Sequence, residues 1–376
     1  LAKLLEGGKK LRLYQGFDPT GARLHLGHTV GLRKLMDFAQ AGHEVIFLFG
    51  TGTVLVGDPS ERETGRKLIT QQEIDQNIET WKDQVKPIVD FNKVTIKQNG
   101  DWLTKLTLKE IIRIASNISA VQLFKRESFT RRIKAGQTVW YHETMYPLLQ
   151  GYDSVVMDVD LEIGGTDQEF NMLIGRELQR KMNHREKFVL TTPMILGTDS
   201  QQMSKTSGNC VWLDDSANEM FGKLMSLPDE QIVPYLELVT DMPLEQVGEI
   251  KEGLTSGKLH PMVAKKELAQ AVVTQFHGQK AAADALTHFE TTIQGKQAAT
   301  DTPVVTVPFS QATILEICKA AEVGESVSQI KRTIEQGGVK WNDQKITDPR
   351  QELTIHDGDT LKYGKRTFRK VQIKPE

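Results

Sequence analysis

Cysteine is nearly absent from this sequence: Cys210 and Cys318 are the only two in 376 residues. Two thiols so far apart supply neither a disulfide framework nor a zinc cluster, and they point to a reducing, cytoplasmic setting. Long apolar runs are also missing. None approaches the roughly 20 residues of a membrane-crossing helix, and the opening residues lack the pattern of a secretory signal. The chain opens on Leu1 rather than Met, so a few leading residues are expected before it. Net charge is small at −2, so any nucleic-acid partner must be met by a local basic surface. No internal repeat or low-complexity tract is found. What is present is an ordinary globular balance, 39% hydrophobic and 26% charged. The length exceeds what one core usually holds, so two or three domains are expected.

"LRLYQG" (11–16) reads as a short strand and the following "FDPTGARLH" as a loop. From about Gly27 the pattern turns helical, with Leu32, Leu35, Met36 and Ala39 at i, i+3, i+4 and i+7 and Gly42 as the stop. "EVIFLFG" (44–50) reads as a fully buried strand. Strand, loop, helix and buried strand form a βαβ unit, which predicts an α/β parallel sheet with helices on both faces. "DSVVMDVDLEIGG" (153–165) reads as a further buried strand. Residues 216–295 contain almost no strand-like run and predict a helical domain. "QGKQAATDTP" (294–303) reads as a linker. The tail predicts a small α+β module: two helices, a Gly337-Gly338 stop, then strands at "VKWN" and "LKYGKRTFRKVQI".

Four segments carry candidate chemistry. In "GARLHLGH" (21–28), His25 and His28 flank Gly27. Metal binding is the poorest reading, because an i, i+3 histidine pair needs a third ligand that nothing nearby supplies. Core packing and nucleotide contact remain. A helix N-terminus in a βαβ unit offers N–H groups to phosphate, and glycine lets a flat purine or ribose approach. "GTGTVLVGDPS" (50–60) has P-loop glycine spacing, but Asp58-Pro59 replace the expected Lys-Ser/Thr, and a carboxylate there repels triphosphate. Asp58 either caps a glycine turn or pairs with a cationic group such as an α-ammonium. In "YPLLQGYD" (146–153), Tyr146, Gln150 and Asp153 share one helix face, with Pro147 expected in the first turn. That stripe suits a small zwitterion or plain solvent. "QQMSKTSGN" (201–209) sets Lys205 in a polar loop, either an ordinary surface loop or one that closes over phosphate.

Together these segments resemble one family, the bacterial tyrosyl-tRNA synthetases among the class I aminoacyl-tRNA synthetases. "HLGH" is similar to the HIGH signature and "QMSKT" to the KMSKS loop. "YQGFDPTGARLHLGH", "GDPS", "YPLLQGYD" and "IGGTDQEFN" resemble tyrosyl-enzyme segments. The resemblance implies a Rossmann-like catalytic domain over 1–215, with a dimer-interface insertion at about 100–145. A helical domain over 216–300 and a small RNA-binding α+β domain over 304–376 follow. It also implies roles. Tyr14 and Asp153 would hold the phenol hydroxyl of L-tyrosine; Asp58, Tyr146 and Gln150 would take its α-amino group, with Gln168 close to the reacting carboxylate. Thr20 and His25 would contact the departing pyrophosphate, and Gly27 and His28 the adenine and ribose. Asp167 would take the ribose hydroxyls, with Gly165 permitting close approach and Asp18 lining the same cradle. Met203 and Ser204 would flank ATP while Lys205 clamps its phosphates. Magnesium would ride on ATP, with no resident metal site. The partners implied are L-tyrosine, ATP and a tyrosine tRNA, with a homodimer and no membrane.

Two positions depart from the family pattern. Gln202 stands where a lysine is usual in the loop, which removes one phosphate contact; Gln15 replaces a small residue after the tyrosine. The tail carries Lys331, Arg332, Lys340, Lys345, Lys362, Lys365, Arg366, Arg369 and Lys370, with Trp341, Tyr363 and Phe368 interleaved to pack or stack. Basic residues among aromatics suit RNA. The competing readings are a tryptophanyl synthetase, a catalytically idle RNA-binding paralogue, and a small nucleotidyltransferase of the same superfamily.

Overall fold

Apolar runs that are shielded on both faces build parallel strands, and the central sheet has three mostly buried strands at its middle with two more exposed ones at its edges. They are β1 (Arg12–Phe17), β2 (Glu44–Phe49), β3 (Val94–Gln98), β4 (Leu161–Gly165) and β5 (Phe188–Thr192), all parallel, in the order β3-β2-β1-β4-β5. The computed structural model describes residues 1–59, 69–204, 207–294, 303–324, 326–342, 344–364 and 367–373. Contacts divide the chain into two units, Leu1–Ala282 and Ala283–Glu376. The chain lays down β1, β2 and β3 outward, then returns to the other side of β1 for β4 and β5. That reversal creates a switch point between β1 and β4, with a crevice outside the carboxyl ends of the strands.

Ten helices precede β5 among the described residues: α1 (Ala2–Glu6), α2 (Leu26–Gln40), α3 (Thr53–Val56), α4 (Gln71–Val85), α5 (Gly100–Leu103), α6 (Leu108–Ala115), α7 (Ala120–Phe124), α8 (Glu127–Lys134), α9 (Tyr141–Met157) and α10 (Glu169–Met182). The βαβ expectation holds: α2 buries Leu32, Leu35, Met36 and Ala39, and Gly42 follows its end at φ 87°. Two local expectations need correction. The stretch 153–165 is a strand only from Leu161; Asp153–Met157 is the last part of α9, which stops at Asp158 in the left-handed region at φ 49°. Val155 and Val156 favour a strand, but packing of α9 on α10 overrides that preference. The contact is close because both helices present glycine: a Cβ on Gly151 would lie 3.0 Å from the Gly175 nitrogen.

Pro147 is the second correction. It lies inside α9, not in its first turn. The helix begins earlier because Glu143 accepts from the Trp140 N–H at 3.1 Å and pairs with the buried Arg132 of α8. That pairing supports a turn whose ladder Pro147 leaves incomplete.

Among described residues 216–294 there are helices and no strand: α11 (Ala217–Met225), α12 (Ile232–Val239), α13 (Leu244–Thr255), α14 (Pro261–His277) and α15 (Gln279–Phe289). Met220, Phe221, Tyr235, Leu268 and Val272 are fully buried there. Most of the expected linker, residues 295–302, lies outside the described residues.

The second unit contains β6 (Val304–Val307), β7 (Gln311–Thr313), α16 (Ile314–Ala320), α17 (Val327–Glu335), β8 (Val339–Trp341), β9 (Gln344–Ile346), β10 (Glu352–Thr354), β11 (Thr360–Tyr363) and β12 (Thr367–Ile373). One sheet has the order β6-β12-β11-β8-β9, and β10 pairs with β7. The aromatics here pack: Trp341 is in the core, and the Tyr363 hydroxyl bonds Thr333 Oγ1 at 3.0 Å. Lys362 sits over the Phe368 ring at 4.9 Å. Lys365 and Arg366 fall outside the described residues.

Candidate active site

A cleft of about 660 Å³ opens at the carboxyl ends of β1 and β4. Every described residue named above for ligand contact lines it, from Tyr14 on β1 to Ser204. Lys205 lies outside the described residues.

The floor is built from side chains that hydrogen-bond one another, with Tyr14 and Asp153 buried. Tyr14 is fully buried, and its hydroxyl lies 3.0 Å from Ser154 Oγ. Burial pushes its phenol pKa well up, helped by the charges of Glu162 and Asp153. Asp153 projects from α9 and accepts from Trp102 Nε1 at 2.8 Å and from Asn99 Nδ2 at 3.0 Å. Burial also raises the Asp153 carboxyl well above its ordinary range, against the lowering effect of those two donors. Gln150, one turn earlier, gives its amide N–H to Glu162 Oε1 at 3.2 Å.

Beside this floor the partners differ from expectation. Tyr146 donates to Asp18 Oδ2 at 3.0 Å, and Thr53 donates to Asp18 Oδ1 at 2.7 Å. Asp18 fits its socket only because residue 50 is glycine: a Cβ there would stand 1.9 Å from Oδ1. Asp58 receives Arg126 Nη2 at 3.0 Å and Gln168 Nε2 at 2.7 Å. A guanidinium therefore balances the carboxylate that excluded a P-loop. The glycine-rich segment forms a turn and the short α3 instead.

The rim is built on a helix end. His25 is the N-cap of α2, its Nδ1 accepting from the Gly27 N–H at 3.2 Å, while His28 Nδ1 accepts from the His25 N–H at 3.3 Å. The two rings lie 4.0 Å apart. Gly27 has a structural reason to be glycine, since a Cβ would sit 2.9 Å from the His25 ring. Gly165 does the same for Asp167, whose Oδ1 would be 2.4 Å from a Cβ. Burial raises the Asp167 carboxyl, opposed by a 2.9 Å hydrogen bond from Gln168 Nε2. Thr20 follows a turn in which its N–H donates to the Asp18 carbonyl at 2.7 Å. Met203 and Ser204 reach the rim from the loop, held by the buried Asn209: Oδ1 accepts from the Ser204 N–H at 3.0 Å and Nδ2 donates to the Gln202 carbonyl at 3.0 Å. No cluster of three metal-ligating side chains occurs among the described residues.

Sequence reasoning missed Asn99, Trp102, Arg126, Ser154, Glu162, Lys187 and Asn209. Asn99 was findable, because Asn-Gly directly follows a strand and ligand sites gather at strand ends. Lys187 was not, because lysine is almost never fully buried. Gln15 folds over Gly31, whose Cβ would lie 2.3 Å from Oε1, so the departure at position 15 is matched by a missing side chain at 31.

The family model described as tRNA synthetases class I (W and Y) matches residues 6–294, and the S4 domain model matches 314–359. A tyrosine–tRNA ligase of Moorella thermoacetica is 40% identical over 372 residues, covering 99% of this chain and 90% of that protein. One from Geobacter sulfurreducens is 39% identical, covering 99% and 93%. In fold, the chain is similar to a C-terminally truncated mitochondrial tyrosyl-tRNA synthetase of Aspergillus nidulans. The TM-score is 0.62 at 24% identity, over 75% of this chain and 86% of that one. This chain belongs to the tyrosine–tRNA ligase family of class I tRNA synthetases.

Proposed function

We propose that this chain activates L-tyrosine with ATP in the cleft between β1 and β4, forming tyrosyl adenylate and pyrophosphate, and then passes tyrosine to the 3′ end of its tRNA. One observation carries the reading. A buried phenol and a buried carboxylate, Tyr14 and Asp153, line one end of a cleft whose rim is a helix N-terminus. The phenol of tyrosine satisfies both groups; phenylalanine leaves them unpaired, an uncompensated desolvation cost.

In this reading the tyrosine carboxylate attacks the α-phosphorus of ATP directly, and the P–O bond to pyrophosphate breaks. No enzyme nucleophile is needed, so acceleration comes from positioning and charge stabilisation. Asp58, Tyr146 and Gln150 surround the α-ammonium, and Gln168 lies near the carboxylate. Tyr146 and Asp58 act with their present partners Asp18 and Arg126. Thr20 and His25 face the pyrophosphate, the sequence motif assigns Lys205 to clamp it, and magnesium travels on ATP as part of that substrate. Gly27 and His28 border adenine and ribose; Asp167, with Gly165, takes the ribose hydroxyls. The terminal adenosine of tRNA then attacks the adenylate through its 2′-hydroxyl, with the S4 region as an RNA-binding module.

A homodimer working in the cytoplasm completes the proposal. Leu108, Ile112, Val121, Ile133, Trp140 and Tyr141 leave large apolar side chains more than half exposed along α6–α9 and the residue before α9. Such a concentration marks an association surface. Sedimentation of the full chain tests this, and a monomer at micromolar concentration would reject it. For the reaction, ATP–pyrophosphate exchange is measured with each of the twenty amino acids. Exchange with tyrosine alone is expected; exchange with tryptophan, or with none, would sink the proposal.

A further inference from the structure

Behind the floor lies a charged pair that the proposed reaction does not use. The Lys187 and Glu162 side chains are 0% and 2% exposed. Two buried charges are a poor source of stability, so their retention calls for another reason. Glu162 stands opposite Tyr14 in the β1–β4 register, and Lys187 immediately precedes β5. The Lys187 ammonium contacts Glu162 Oε2 and donates to Ser154 Oγ at 2.7 Å. Its space depends on Gly175, where a Cβ would come within 2.7 Å of Nζ.

Counting donors fixes the first bond of this chain and leaves two polarities for the rest. An ammonium only donates, so Ser154 Oγ accepts from Lys187 and passes its own proton onward. Two acceptors for that proton lie within reach, Tyr14 Oη at 3.0 Å and the Glu162 Oε2 carboxylate oxygen at 3.4 Å. Tyr14 accepting from Ser154 leaves its own O–H to the cleft; Tyr14 donating inward, to Ser154 or to Glu162, does not. On the other side, Glu162 Oε1 accepts from Gln150 Nε2 at 3.2 Å. A carboxylate repels an amide oxygen, so this contact decides which way round the Gln150 amide sits. Gln150 Oε1 is buried with no hydrogen-bond partner among the described residues, in a side chain that lines the cleft.

We propose that the Lys187–Glu162 pair sets hydrogen-bond polarity at both ends of the amino-acid subsite. Through Ser154 it makes Tyr14 a donor to the ligand's phenol oxygen, and through Gln150 it presents an acceptor to the ligand's ammonium. The phenol proton then goes to Asp153. This rests on the tyrosine reading above and makes Lys187, Glu162 and Ser154 positioning residues that do not touch the ligand.

Three ligands separate the two ends: L-tyrosine reports both, 3-(4-hydroxyphenyl)propionate reports the phenol end, and L-phenylalanine the ammonium end. Each is titrated calorimetrically into the full chain, with ATP as control. Ser154→Ala keeps the ion pair and should weaken tyrosine and the propionate by about ten-fold while leaving phenylalanine unchanged. The double variant Lys187→Met/Glu162→Leu removes both charges together, so neither is left buried alone. It should weaken each single-end ligand by about ten-fold and tyrosine by about a hundred-fold, with ATP unchanged. The inference is overturned if Ser154→Ala weakens phenylalanine as much as tyrosine. Wild-type affinities in the double variant, or equal losses that include ATP, overturn it as well. If the double variant does not fold, Ser154→Ala alone still decides the phenol arm. Failure of the tyrosine reading looks different: the wild-type chain would then bind tyrosine no better than phenylalanine.

Discussion

The two ends of the cleft are built on different plans. At the floor, side chains hold side chains: Asn99 and Trp102 hold Asp153, Ser154 bonds Tyr14, and Glu162 holds Gln150. At the rim, backbone also holds side chains: the N–H groups of one helix turn donate to His25 and His28. Selecting one amino acid from similar ones depends on leaving the wrong ligand with unmet buried polar groups, and that penalty survives only if those groups cannot turn away. Binding a triphosphate needs charge and dipole, which act over longer range and tolerate water. The floor is therefore cross-bonded from side chain to side chain, and the rim is built on a helix end.

The comparison breaks most severely at Asp153. Asp153→Ala should reduce tyrosine-dependent exchange (kcat/KM) by more than about 10²-fold and leave ATP affinity within about two-fold. Equal losses in exchange assay and ATP titration would erase the division between floor and rim. His25→Ala tests the opposite end: kcat should drop by roughly 10- to 100-fold while tyrosine affinity, read by calorimetry, stays constant. A matching loss of tyrosine affinity would show the ends to be coupled.

Gly31→Val probes the border. A Cβ there collides with the Gln15 amide, so thermal and denaturant unfolding should register a loss of about 1–3 kcal/mol, which Gln15→Ala in the same chain largely restores. No restoration would mean that the two residues are not matched. The smallest effect lies at the far end of the sheet. Asp160 accepts from the Arg12 N–H at 2.9 Å, from Arg185 at 2.7 Å and from Lys9 at 3.0 Å. Burial works to raise its pKa, but these three donors outweigh it and hold the carboxyl below its usual range. Its stabilising contribution is complete above the unfolded-state value of about 4 and is lost as pH falls through the lower folded value. Asp160→Asn should flatten acid unfolding below about pH 4 and leave exchange kinetics intact. An unchanged acid profile would remove the assigned role.

The middle of the sheet was legible because β1, α2 and β2 announce themselves by apolar run and helical spacing, each within a few consecutive residues; the edge strands β3 and β5, part polar and more exposed, were not. The limits of α9 were not legible. Its start depends on Glu143 meeting Arg132, its passage through Pro147 on that same support, and its extension past Val156 on the glycine contact with α10. None of these is local. The cleft-lining residues could be named from short segments, yet their partners could not, because Asn99, Trp102 and Arg126 come from other segments of the chain. Asp58 shows the consequence: its charge was noticed and its guanidinium partner was not.

By itself the sequence determined the periodicities, hence the central βαβ unit of the parallel sheet, and which side chains had chemistry to offer. Those follow from steric and hydrophobic rules that act over a turn or two. Only the tertiary structure decided what each polar group faces. It turned two histidines into helix caps, neutralised Asp58, and sealed a lysine and a glutamate beneath Tyr14. Hydrogen-bond polarity and desolvation depend on atoms a few ångströms apart in space, and residues as distant in sequence as Tyr14 and Lys187 meet only after the chain has folded.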